Sequence, residues 1–298
     1  MTAFNREKYI GEAIESVLAS TFEDFELIIV DDGSNDRTVE IGRRYTADPR
    51  VVVHENAKNL GDYLNRNRAA ELAGGKYLKY VDSDDMIYPH GLEVMVNSME
   101  RFPEAALGLC AKDSQRGLYP VCLSPEAAYH EHFVLRNGLL SPGPTDAIIR
   151  TKNFFSLGGF SGKRFIGDSE MWLKFAAHFP LVKIVRGLTW YRVHATQSDV
   201  MGNQSSINEA NTESLQLDTL AARYQLTMDA LESTNCPLKK GEKKRVVQNE
   251  KSFYAWRLLQ LALRQRQPRF AVTMYRRSNL TLTDMMTCLI HRFASRDA

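Results

Sequence analysis

Strand and helix signals alternate through the first eighty residues, and this alternation constrains the fold more than any other feature of the sequence. Tyr9 to Ser20 places Ile10, Ala13, Ile14, Val17 and Leu18 at helical spacing. Glu26 to Val30 (ELIIV) is a short, branched apolar run that suits a buried strand. It ends in DDGSNDRT, where Gly33 marks a turn and Ser34, Asn35 and Asp36 are candidate helix caps. Thr38 to Tyr45 continues as a helix and Arg50 to His54 as a strand. Gly61 to Ala73 reads as a helix closed by Gly74-Gly75, and Lys76 to Val81 as a half-buried strand of alternating character. Repetition of this kind implies an α/β domain with a mainly parallel sheet flanked by helices. Met1-Thr2-Ala3-Phe4 is only the tail of a first strand, so either that strand is very short or the true start lies upstream.

Two of these strands end in carboxylates. Asp31-Asp32 follows ELIIV, and Asp82, Asp84 and Asp85 follow KYLKYV. Like charges so close repel one another and are costly to desolvate. Ligands of such sheets bind beyond the carboxyl ends of the strands, so both clusters are expected at a ligand edge and need not be buried in the core. Carboxylates at D-x-D spacing can grip a hard divalent cation, which neutralises their repulsion and bridges to phosphate. An acidic turn capping the next helix has the same composition, and the cluster alone does not choose between them.

Beyond Leu92 the pattern is looser. Leu92 to Phe102 reads as a helix, and Leu107 to Lys112 and Tyr119 to Leu123 as strands. SPGPTD is a loop before the strand AIIR, Ser169 to His178 is a helix, and Leu181 to Val185 and Thr189 to Val193 are strands. From about Thr196 only helical periodicity remains, with Phe253, Trp256, Leu259 and Leu263 forming one stripe. The stripe suits packing onto the catalytic domain or contact with a membrane.

The 298 residues carry a net charge of +2, but unevenly. Residues 239–298 hold 14 Lys and Arg against 4 Asp and Glu, a net of +10, and the rest hold 24 against 32, a net of −8. A basic tail on an acidic body points to an anionic partner such as a phospholipid surface or nucleic acid, or to helices with solvated basic faces. No run of 18 apolar residues suggests a membrane-spanning helix and no signal peptide is visible. Cys110, Cys122, Cys236 and Cys288 form no C-x-x-C pair, which fits isolated reduced thiols in a cytosolic protein.

The chain lacks G-x-x-x-x-G-K-[ST], G-x-G-x-x-G after a strand, and G-x-S-x-G, which disfavours P-loop NTPases, dinucleotide oxidoreductases and α/β-hydrolases. TAFNREKYIGEAIESVLASTFEDFELIIVDDGSNDRT and NLGDYLNRNRAAELAGGKYLKYVDSDDMIYP closely resemble the nucleotide-sugar half of family 2 glycosyltransferases, which have the GT-A fold. IIRTKNFFSLGGF and FIGDSEMWLKFA resemble that family's acceptor half. The resemblance implies a Rossmann-like GT-A catalytic domain over 1–200, its nucleotide-sugar half at 1–90 and acceptor half at 91–200. A helical C-terminal region over 201–298 lies outside the resemblance.

By resemblance, Thr2, Ala3 and Asp32 hold the nucleotide base, with Arg66 near the base or phosphates. Asp82 and Asp84 form the D-x-D pair for Mn²⁺ or Mg²⁺, with Asp84 the more direct ligand. Asp168 falls at the catalytic base of the pattern acidic-Asp-x-acidic-aliphatic-Trp, although Gly167 replaces the first acid. His194, in YRVHATQS, falls where the family reaches the metal or pyrophosphate. Read as residues alone, Asp168 better suits a cap for the helix near Ser169, His194 a structural histidine, Asp85 a loop-bonding carboxylate, Trp172 a core residue and Gly158-Gly159 a backbone turn. The function implied is a metal-dependent, inverting transfer from a nucleotide-sugar, UDP-linked, to a saccharide or lipid-linked acceptor. It implies polysaccharide or glycolipid synthesis in the cytoplasm, with peripheral contact at the inner membrane through the basic helices and no nucleic acid partner. The alternatives are a nucleotidyltransferase, for which MTAFNREKY supplies no basic Gly-rich loop, and a non-catalytic sugar-nucleotide-binding protein.

Overall fold

The computed structural model describes residues 1–111, 118–193, 209–263, 268–281 and 283–284. The chain divides into two compact units, Met1–Ala195 and Thr196–Ala298.

The first unit begins with a three-stranded parallel sheet in the order β1-β2-β3: β1 (Thr2–Ala3), β2 (Leu27–Asp31) and β3 (Val51–Glu55). All five residues of β2 are buried, because successive side chains serve opposite faces and both faces are covered. Leu27 and Ile29 join Ile10, Ala13, Ile14 and Val17 of α1 (Ile10–Leu18), while Ile28 and Val30 pack with Ala69 of α3 (Asp62–Leu72). The short α2 (Thr38–Arg43) joins β2 to β3. These elements agree with the sequence reading to within a few residues.

A second, mixed sheet has the order β4-β8-β6-β9-β7. Its strands are β4 (Tyr77–Leu78), β6 (Leu107–Cys110), β7 (Val121–Leu123), β8 (Ala147–Arg150) and β9 (Leu181–Ile184). Only β6 and β9 run parallel within it; β8 pairs antiparallel with both β4 and β6, and β7 antiparallel with β9. A separate antiparallel pair, β5 (Met86–Ile87) with β10 (Thr189–Trp190), brings the chain after residue 190 back to the acidic loop. Helices α4 (Gly91–Glu100), α5 (Pro125–Tyr129), α6 (Thr151–Ser156) and α7 (Gly167–His178) complete the unit.

Several boundaries differ from expectation for identifiable reasons. The strand expected over Lys76 to Val81 pairs only at Tyr77–Leu78; after it the Lys79 ammonium turns inward to the carbonyls of Tyr80 and Thr145. The strand expected over Thr189 to Val193 ends at Trp190, because the Arg192 N–H donates instead to Asp85. Residue Lys112 of the expected Leu107 to Lys112 strand lies outside the described residues.

In the second unit, α8 (Glu209–Glu232), α9 (Lys240–Leu263) and α10 (Pro268–Arg277) share a core of Tyr224, Met228, Tyr254, Ala255, Leu258, Leu261, Ala271 and Met274. The Tyr224 and Tyr254 rings stack at 4.0 Å. The buried face of α9 therefore runs through Tyr254, Leu258 and Leu261, one position round from the expected stripe. Trp256 and Leu259 flank this core, whereas Phe253 and Leu263 are exposed. Among the described residues no helix is long and apolar enough to cross a membrane.

Candidate active site

The β2 end is closed by its own loops. Asp31 Oδ2 accepts from the N–H groups of Gly33 at 3.0 Å and Ser34 at 2.8 Å, which sets the turn. Asp32 Oδ1 accepts from Asn56 Nδ2 at 2.8 Å and Leu60 N–H at 2.9 Å, and Oδ2 from Gly61 N–H at 2.9 Å. Both aspartates are buried at the strand end. Burial is tolerated because every charge is met by N–H donors. A carboxylate offers about four acceptor positions, so the three on Asp32 leave room for one more donor.

Helix α3 is polar yet packed, and its NRN sequence explains why. Asn65 Nδ2 donates to the Val30 carbonyl at 3.1 Å. Asn67 makes a two-way amide pair with the Phe160 backbone, at 2.8 and 2.9 Å. Between them, Arg66 is buried and reaches three groups: Thr2 Oγ1 at 3.1 Å, Asp82 Oδ1 at 2.6 Å and Asp62 Oδ1 at 3.1 Å. Burial pulls the Arg66 pKa down, but Asp82 and Asp62 outweigh it and the net shift is upward. Its Nε is buried without a hydrogen-bond partner. Burial likewise pushes Asp82 up, and Arg66 more than reverses this, leaving its carboxyl below the ordinary range.

The remaining acids are held by long-range contacts. Asp84 Oδ2 accepts from Arg6 Nε at 2.9 Å, and its carbonyl accepts from Arg192 Nε at 3.1 Å. Asp85 accepts from the Arg192 N–H at 3.1 Å and from Thr145 Oγ1 at 3.0 Å. It bonds backbone, as its sequence suggested, but that of a distant segment rather than of its own loop. Burial, and then the charges of Asp82 and Asp84, push Asp85 up to about 7. Asp84 and Asp85 are also buried, again satisfied rather than solvated.

Asp168 lies in the first turn of α7, not at its cap. The helix starts at Gly167 with Ile166 as N-cap. Asp168 Oδ1 accepts from Ser169 N–H at 2.7 Å, and its own backbone N–H donates to the Tyr63 hydroxyl. Burial, and then the Asp168 charge, raise the Tyr63 pKa. The glycine before Asp168 now has a reason: a Cβ on Gly167 would sit 2.7 Å from the Tyr63 ring. A side chain there would force the Tyr63 ring to shift. Glu170, the second acid of the motif, instead ties down the preceding loop through Lys163 Nζ at 2.8 Å and through Ser161. Trp172 is core, its Nε1 donating to the Pro142 carbonyl at 2.8 Å. Gly158 and Gly159 form the expected turn with φ of 81° and 68°.

Tyr63 and Arg66 are one helical turn apart, so α3 brings Asp168 and the Asp82 end to one side of the unit. Thr2 joins this group through Arg66; Ala3 is buried beside it in β1, and its carbonyl accepts the Asp32 N–H at 2.8 Å. His194 lies outside the described residues. Among the described residues no three His, Cys, Asp or Glu side chains come together to hold a metal. Asp82 and Asp84 nevertheless offer hard oxygen donors of the type that Mg²⁺ and Mn²⁺ accept, with phosphate oxygens and water completing the shell. Sequence reasoning missed Arg6, Asp62, Tyr63, Thr145 and Arg192. Only the DYLNRN and YRVH segments hinted at them.

Residues 1–137 match the family described as Glycosyl transferase family 2. That stretch, just under half of the chain, is thus similar to a family 2 glycosyltransferase domain. An uncharacterised glycosyltransferase of Methanocaldococcus jannaschii is 40% identical over 103 residues, covering 34% of this chain and 36% of that protein. The chain thus spans about a third of that relative's length. Among solved structures, S. aureus TarS 1–349 in complex with UDP-GlcNAc aligns with a TM-score of 0.56 at 19% identity, covering 93% of this chain and 90% of that one. The mannosyltransferase PcManGT of Pyrobaculum calidifontis, in complex with GDP-Man and Mn²⁺, aligns with a TM-score of 0.59 at 15% identity, covering 99% and 78%. At these identities the likeness establishes the fold, which is GT-A.

Proposed function

We propose that this chain is an inverting glycosyltransferase that moves a sugar from a UDP-sugar to an acceptor hydroxyl. The observation that supports it most is the contact path along α3. Arg66 binds Asp82, and one turn earlier Tyr63 binds the backbone of Asp168. One helix thus links the residues that would hold the diphosphate to the carboxylate that would take a proton.

In this reading Thr2, Ala3, Asp32 and Arg66 bind the nucleotide. Asp82 and Asp84 hold Mn²⁺ or Mg²⁺, with His194 as a further ligand. The ion, when bound, supplies a Lewis acid that offsets the charge of the leaving diphosphate. Arg66 orients Asp82 and adds fixed positive charge beside the nucleotide site. Asp168 accepts the proton of the acceptor hydroxyl as its oxygen attacks the anomeric carbon. A single base with no protein nucleophile gives inversion. The acceptor is a saccharide or a lipid-linked saccharide, and the product a polysaccharide or glycolipid. The +10 charge of residues 239–298 supports a peripheral site of action at the inner face of a membrane.

Thermal shift with UDP, GDP and CDP, each with and without Mn²⁺, tests the donor site. Metal-dependent stabilisation by UDP alone is expected; no shift with any nucleotide would sink the assignment. Asp168→Asn should keep UDP binding and lower turnover by about 10²–10⁴-fold. Full turnover in that variant would remove Asp168 as the base.

A further inference from the structure

Arg6 stands on the carboxylate that the cation would need. Its Nε lies 2.9 Å from Asp84 Oδ2, and the two side chains are only 24% and 11% exposed. The arginine is built into the turn after β1. Its N–H donates to Thr38 Oγ1 at 2.7 Å, and Nη1 donates to the carbonyls of Phe4 at 3.1 Å and Asn5 at 3.2 Å. Asn5 itself has φ of 52°, a left-handed conformation that asparagine tolerates. It is pinned there by its N–H to Ser34 Oγ at 2.8 Å and by the Asn35 N–H to its Oδ1 at 2.8 Å. The guanidinium is therefore aimed at Asp84 by the loop that follows β2. The lone pair it occupies on Oδ2 is not open to another cation, and two cations on one carboxylate oxygen repel each other.

We propose that Arg6 is an internal stand-in for the divalent cation. It neutralises Asp84 in the free protein and is displaced when metal and nucleotide arrive together. The proposal rests on the reading above that Asp84 is a metal ligand. Once displaced, the guanidinium stays tethered through Nη1 to the Phe4 and Asn5 carbonyls and turns its charge to the diphosphate. The nucleotide thus supplies the anion that Arg6 loses. Metal alone must compete with Arg6 and binds weakly, whereas metal and UDP bind with positive coupling.

The test uses the full chain and two variants, Arg6→Gln and Arg6→Lys, with folding checked by thermal melting. Free Mn²⁺ is followed by its electron paramagnetic resonance signal, first without and then with UDP. If Arg6 covers Asp84 about nine-tenths of the time, Arg6→Gln should bind Mn²⁺ alone about tenfold more tightly than the parent. The factor by which UDP tightens Mn²⁺ binding should shrink by a similar amount. Arg6→Lys, which keeps the charge but not the fork, should fall between the two, and it carries the test if Arg6→Gln does not fold. Unchanged or weaker binding of Mn²⁺ alone by these variants would overturn the role of Arg6. A parent protein that binds no Mn²⁺ even with UDP would instead overturn the metal site, and the Arg6 proposal with it.

Discussion

The two acidic strand ends of the first unit look alike in sequence and are built on opposite principles. At the end of β2, Asp31 and Asp32 are met by N–H donors of Gly33, Ser34, Leu60, Gly61 and Asn56. After β4, Asp82 and Asp84 are met by the guanidinium groups of Arg66 and Arg6. Backbone donors cannot leave without unfolding the loop, so the first cluster is permanent scaffold. Arg66 is buried and fixed beside Asp82, whereas Arg6 is the partner that the proposal above exchanges for another cation. Burial by itself does not separate the two; the kind of partner does.

Asp84→Asn attacks the exchangeable end. It should cost about 10³-fold in transfer, by loss of charge stabilisation, and leave the melting temperature nearly unchanged. Asp32→Ala attacks the permanent end and strands three donors. A loss of about 3 kcal/mol is expected, read as a fall of about 8 °C in melting temperature. If Asp32→Ala melted normally but lost UDP binding, the contrast between the ends would break.

Smaller effects sharpen the picture around them. Gly167→Ala drives a Cβ against the Tyr63 ring and should cost about 2 kcal/mol in denaturant unfolding. In a Tyr63→Ala background most of that penalty should vanish; additivity of the two changes would show that ring and glycine do not interact. Lys79 lies behind the acidic loop, where burial lowers its pKa to about 8, while Cys110, Asp146, Asp82 and Asp85 push the other way. Because the folded value is below that of the unfolded chain, folding releases protons between about pH 8 and 10.5, and stability gains from this group as pH rises through that window. The melting temperature of the parent relative to Lys79→Met should therefore rise by about 5 °C between pH 7.5 and 9.5. A flat difference would mean that the ammonium is not perturbed.

Local chemistry was readable wherever it depends on near neighbours. The apolar run of β2, the helical spacing of Ile10, Ile14 and Val17, the Gly158-Gly159 turn and the core position of Trp172 all follow from short-range pattern. The resemblance added the expected roles of Asp82, Asp84 and Asp168. What escaped was the pairing: Arg6 with Asp84 across 78 positions, and Arg192 with Asp85 across 107. An exposed arginine and one aimed at a carboxylate are the same letter, and periodicity carries no record of the partner. The stripe of α9 was misplaced for a similar reason, since Trp256 at helical spacing with Phe253 does not say which side faces Tyr224.

By itself, then, the sequence determined which residues are strand, which are helix and where carboxylates cluster at strand ends, because propensity, turn chemistry and hydrophobic period act within a few residues. Tertiary structure alone decided that Asp32 is met by N–H donors and Asp84 by a guanidinium, and that Gly167 yields its space to Tyr63. Those outcomes depend on which distant group supplies the donor, or the ring, at the same point in space.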